Sequence, residues 1–164
     1  MKALDLARLM EAVKEPMKRF VRESRVRIVL LVNRSGQVLA QHGFARGFEL
    51  VNVASLAASA HAAAAALAGL VHARRWTHLH HAGKERELFL APFRTPQEEL
   101  ILVAIFDADT SLGVVRLFFD ELAAEVARLP AFHEATESVS AENFERELDA
   151  GLDRIFEAES SPEA

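Results

Sequence analysis

A chain of 164 residues has room for one domain with a core of its own and a short appendage, but not for two large domains. With 19 basic against 24 acidic residues the net charge is −5, which offers the phosphates of nucleic acid no concentrated cationic patch. There is no cysteine, hence no disulfide and no thiolate metal site, and the opening MKALDLARLM lacks the basic stretch and apolar run of a leader, so a cytoplasmic location is expected.

From Leu4 to Phe20, the residues Leu6, Leu9, Met10, Val13, Met17 and Phe20 recur at three- and four-residue steps and predict a helix, kinked or restarted at Pro16. Two apolar runs follow, Arg27 to Val32 and Gln37 to Gln41. The turn Asn33-Arg34-Ser35-Gly36 between them makes a β-hairpin. The next element, a helix over Asn52 to Arg74, is rich in alanine. Val51 to Val71 is the most apolar segment of the chain. Alanine is only weakly apolar, so the segment is expected to be a packed helix and not a membrane insertion. A helical wheel gathers Val53, Leu56, Leu67, Leu70 and Val71 on one side, and Ala58, Ala62, Ala65 and Gly69 on the other, flanked by Ser55 and Ala66. Neither side is charged. One side is then expected to cover the domain's own sheet, and the small-residue side to meet a second subunit or a partner.

Three further strands are predicted at Trp76 to His81, Leu88 to Phe93 and Leu100 to Phe106, joined by short polar connections that imply antiparallel neighbours, with the last strand central. Asp107 to Ser111 supplies turn and cap residues for a helix whose stripe is Leu112, Val115, Phe119, Leu122 and Val126, ending at Pro130. This divides the chain into a domain at 1–129, a linker at 130–140 and a C-terminal amphipathic helix and tail at 141–164. The stripe of that last helix is Phe144, Leu148, Leu152, Ile155 and Phe156.

Several residue groups have both a chemical and a structural reading. His78 and His80 share one face of a strand while His81 points away, with His72 nearby, but no third ligand is evident, so no metal is expected. At a subunit seam the same histidines would make assembly sensitive to pH. Arg74 and Arg75 resemble catalytic fingers, but they are expected at the end of the central helix, where cations interact favourably with its dipole. Asp107 and Asp109 are read as helix-capping residues and not as a catalytic pair. The tail stripe either lids its own domain or docks on a partner.

The order helix, hairpin, long helix, three strands, helix resembles that of the Roadblock/dynein-light-chain family. IFDADTSLGVVRL (Ile105 to Leu117), VLLVNRSGQVLAQHG (Val29 to Gly43) and ASLAASAHAAAAALAGLV (Ala54 to Val71) are similar to its bacterial MglB-type branch. The resemblance covers roughly Val26 to Leu129 and implies an α/β (α+β) sandwich of pattern α-ββ-α-βββ-α, with a five-stranded, mostly antiparallel sheet flanked by helices. It also implies a homodimer with paired central helices and a continuous sheet. Such a dimer binds a small Ras-like GTPase of the MglA type and stimulates its GTP hydrolysis in cell polarity and gliding motility, without a cofactor or active site of its own. A dimeric scaffold of the same fold and a small-molecule sensor are the alternatives.

Overall fold

In the computed structural model, residues 3–43, 49–73 and 75–133 are described. Eight elements follow one another: α1 (Ala3–Ser24), β1 (Ile28–Asn33), β2 (Val38–Gly43), α2 (Leu50–Leu70), β3 (Leu79–Ala82), β4 (Glu87–Arg94), β5 (Glu99–Phe106) and α3 (Leu112–Val126). A 3-10 turn at Pro130–Phe132 comes after them. The strands form one sheet in the order β2-β1-β5-β4-β3. Every pairing is antiparallel, and the Ile- and Leu-rich β5 lies at the centre.

Alternation along the central strands gives the sheet two buried faces. Val29, Leu31, Phe89, Leu102, Ala104 and Phe106 point toward α1 and α3, which contribute Leu9, Val13, Met17, Phe20, Val115, Phe119 and Leu122. Ile28, Leu30, Val32, Leu90, Ile101, Val103 and Ile105 point the other way, toward α2. On the first face Phe89 and Phe119 meet edge to face, with ring centroids 5.4 Å apart.

Local chemistry explains the boundaries, including those that differ from expectation. α1 runs unbroken through Pro16, because Val13, Met17 and Phe20 on either side of it are fully packed, and that packing outweighs one missing backbone donor. In the first hairpin, Asn33 Oδ1 accepts from the Ser35 and Gln37 backbone N–H groups at 3.1 and 2.9 Å. Gly36 turns at φ +85, and a Cβ there would come within 3.0 Å of the Ser55 Cα on α2. β3 begins at Leu79, and Trp76 and Thr77 lie outside it. The register that pairs Leu79 with Leu90 would set Thr77 against Pro92, which has no N–H to offer. The β4–β5 turn is tighter than the Arg94-to-Glu99 loop read from the sequence. Arg94 and Glu99 pair as strand residues, and Thr95 closes the turn by donating its Oγ1–H to the Glu98 carbonyl at 2.9 Å. Finally, Phe132, placed in the linker by the sequence, is fully buried in the core, so the domain continues past Pro130.

Candidate interaction surface on the central helix

α2 carries no Asp, Glu, Lys or Arg over its 21 residues. It rests on the sheet through Ala54, Ala57 and Ala58, and Ala64 and Ala68 are buried farther along it. The sheet face beneath consists of branched, bulky residues, and only small residues on the helix let the two surfaces close on each other. This corrects the two-sided division of the helix. Ala58, expected to face a partner, lies in the domain's own core, whereas of the large residues expected on the sheet only Val53 packs against it, and Leu56 is 70% exposed, Leu67 50%, Leu70 79% and Val71 58%. Of the other residues assigned to the docking face, Ser55, Ala62, Ala65, Ala66 and Gly69 are exposed. Ala65 and Gly69 border a hollow of about 220 Å³ shared with Arg75, Trp76 and Glu99. His61, the single titratable side chain on α2, meets Glu99 there at 3.0 Å and ties the helix to the start of β5.

Beside α2, over β3 and β4, lies an open apolar groove of about 670 Å³. Val53, Leu56 and Ala60 of the helix form one wall, and Leu79, Leu88 and Leu90 line the strands. The groove ends at β3, the edge of the sheet, whose outer backbone groups have no strand partner among the described residues. By length and composition α2 could cross a membrane. The fold rules this out, since β2 before it and β3 after it belong to one sheet and cannot stand on opposite sides of a bilayer. What the surface presents is an extended uncharged strip with a groove and a free strand edge alongside, the composition of a protein interface.

The histidines divide as strand geometry requires. His78 stacks on Phe89 with ring centroids 5.5 Å apart. Burial, then Arg116 and His80, hold its imidazole below the ordinary value. His80 lies over Phe106 and meets Glu87 at 2.6 Å. His81 lines the groove on the opposite face. Among the described residues, no group of three or more His, Asp or Glu is placed to hold a metal ion. His72 ends α2 in a left-handed conformation at φ 55. The Ala73 N–H then donates to the Ala68 carbonyl at 2.8 Å, and the His72 N–H to the Gly69 carbonyl at 3.3 Å. Because the helix stops at Leu70, Arg75 stands beyond its last turn and the dipole reading does not apply to it. Arg74 lies outside the described residues.

Asp107 and Asp109 have a role the sequence did not reveal. The cap of α3 is Ser111, whose side chain accepts from the Val114 N–H. The two aspartates grip Arg27: its Nε donates to Asp107 at 2.6 Å and a terminal nitrogen to Asp109 at 2.8 Å. Arg27 and the backbone N–H of Asp109 hold the Asp107 carboxyl below its usual range. The clamp fastens the β5–α3 turn to the start of β1. No spacing rule announces it, because 80 residues separate Arg27 from Asp107. The tail stripe Phe144, Leu148, Leu152, Ile155 and Phe156 lies outside the described residues.

Comparison with known proteins agrees with this architecture. A family model described as the Roadblock/LC7 domain matches residues 13–106. Among solved structures, MglB of Myxococcus xanthus is 26% identical at a TM-score of 0.67, covering 80% of this chain and 92% of that one. An MglB with a tetrameric arrangement is 32% identical at 0.67, covering 77% and 92%. The gliding protein MglB of Thermus thermophilus is 29% identical at 0.66, covering 77% and 92%. No curated protein matches. With more than half its length under the family model and its fold shared with three MglB structures, this chain belongs to the Roadblock/LC7 domain family.

Proposed function

We infer that this protein is a cytoplasmic homodimer that binds a small Ras-like GTPase of the MglA type and stimulates its GTP hydrolysis, as a regulator in cell polarity and motility with no active site of its own. The observation that carries the reading is α2. An uncharged helix with Val51, Leu56, Leu67 and Leu70 turned outward, beside an apolar groove and a free strand edge, supports burial against other protein chains. A second copy is well suited to the groove and edge, since pairing of the two β3 edges brings a second α2 over each groove. The upper surface of the two helices then remains for the GTPase. The likeness to MglB supports that choice of partner. Phosphoryl transfer depends mainly on positioning and charge stabilisation, so a bound regulator accelerates it without supplying a reacting group. The tail residues Phe144, Leu148, Leu152, Ile155 and Phe156 are proposed as a second contact with the GTPase, the alternative being a lid on their own domain.

The test is the mass of the complex. Light scattering of the protein mixed with an MglA-type GTPase loaded with a non-hydrolysable GTP analogue is expected to give two copies of this chain per GTPase, and no complex with the GDP form. A dimer that binds neither form favours the scaffold reading. A monomer whose groove takes up a small apolar ligand favours the sensor reading, to which the 670 Å³ groove otherwise lends itself.

A further inference from the structure

The β3 edge carries two histidines, His80 and His81, with His78 just before it, and symmetry gives them a consequence that no single copy displays. Two antiparallel strands related by a two-fold axis have that axis perpendicular to the sheet, so residues opposite each other share a face. Because side chains alternate, only registers centred on a residue satisfy this condition. Within Leu79–Ala82, the registers that pair the most strand residues are centred on His80 or on His81. In either one, a histidine stands opposite its own copy across the axis, with Cβ atoms about 5 Å apart.

We propose that β3–β3 pairing of two copies builds a symmetric histidine pair on the dimer axis, and that protonation of this pair dissociates the dimer in mild acid. The inference rests on the dimer reading above. The charges around the pair differ between the two registers. On the α1 and α3 side, Glu87 of β4 meets His80 at 2.6 Å and offsets a positive charge there, with His78 and, on α3, Arg116 beyond it. On the opposite side, His81 shares the groove with Val53, Leu56, Ala57 and Ala60 of α2, none of them charged, and with Leu88 and Leu90 of β4. The β3–β4 turn contributes Lys84, Glu85 and Arg86, the last within electrostatic reach of Asp107. Two uncharged imidazole rings can pack against each other across the axis, whereas two imidazolium cations at the seam of a sheet repel.

Sedimentation velocity on the full chain at about pH 8 and about pH 5.5, at one ionic strength, reads the effect. The dimer dissociation constant is expected to rise at least about tenfold in acid, well inside the few-hundredfold that a like-charge contact at about 5 Å carries near a protein surface, since water and salt screen part of it. Circular dichroism is expected to show a folded monomer. The H80Q/H81Q double variant is expected to dimerise at both pH values with most of the acid response removed. A dimer at pH 8 that is equally tight at pH 5.5, an acid response unchanged in the double variant, or dissociation that occurs only with unfolding would overturn the proposal. A chain already monomeric at pH 8 overturns the dimer reading itself and takes this inference with it.

Discussion

Leu56→Glu isolates the contribution of the α2 face. Leu56 lines the groove and is 70% exposed in a single copy, so a charge there meets water and leaves the domain's own core untouched. Full burial of a leucine side chain contributes roughly 1.5–3 kcal/mol, so covering the exposed part of Leu56 contributes about 1–2 kcal/mol per copy. Two copies related by symmetry lose about 2–4 kcal/mol, a dimer weakened about 30- to 700-fold. Sedimentation equilibrium over a concentration series measures this, and the thermal midpoint of the dilute monomer serves as the check on folding. Leu117→Glu is the control: it is 58% exposed on α3, across the sheet from the groove, and is expected to leave the dimer unchanged. The reasoning is refuted if Leu56→Glu associates as tightly as the parent chain, or if both variants weaken it equally.

Three further outcomes follow from the same geometry. Phe132→Ala is expected to cost about 3–5 kcal/mol in chemical denaturation, because the ring is fully buried, whereas removal of residues 141–164 is expected to leave that stability unchanged while weakening GTPase binding. A truncation that lowers stability as much as Phe132→Ala would make the tail part of the domain. Arg27→Ala is expected to destabilise the fold at neutral pH and to flatten its acid dependence. The Asp107 carboxyl, held low chiefly by Arg27, stabilises the fold above its ordinary pKa, and that contribution is lost as pH falls through the lowered value. Melting temperatures of both proteins across the acid range should converge, and parallel curves would show that the clamp carries no such linkage. The depressed His78 imidazole has the corresponding sign. Its unfolded form takes up a proton first, so stability declines as pH drops below about 6.5, and His78→Phe should remove that part of the decline.

The fold was legible where local chemistry and burial agree. The Asn33–Gly36 turn between two apolar runs could form only a hairpin, and the unbroken apolar content of Leu100 to Phe106 required a central strand buried on both faces. The α2 face was misread because periodicity needs contrast. With no charged residue along the helix, a wheel cannot distinguish Ala58 from Leu56, and the choice is made by the bulk of Leu30, Ile101 and Val103 on the opposing sheet. β3 was drawn too long because what stops it, Pro92, lies on the neighbouring strand. The pairs Arg27 with Asp107 and His61 with Glu99 join residues far apart in sequence, and only the completed sheet brings them together.

The account holds that this uncharged helical face serves to bring a GTPase into its hydrolytic state. Single-turnover hydrolysis of GTP by an MglA-type GTPase from the same genome, with and without this protein in excess, tests it most directly. The account predicts a rate at least about tenfold higher with the parent chain and close to the basal rate with Leu56→Glu, in keeping with catalysis by positioning. A basal rate under saturating parent protein, or an equal acceleration by Leu56→Glu, would contradict it.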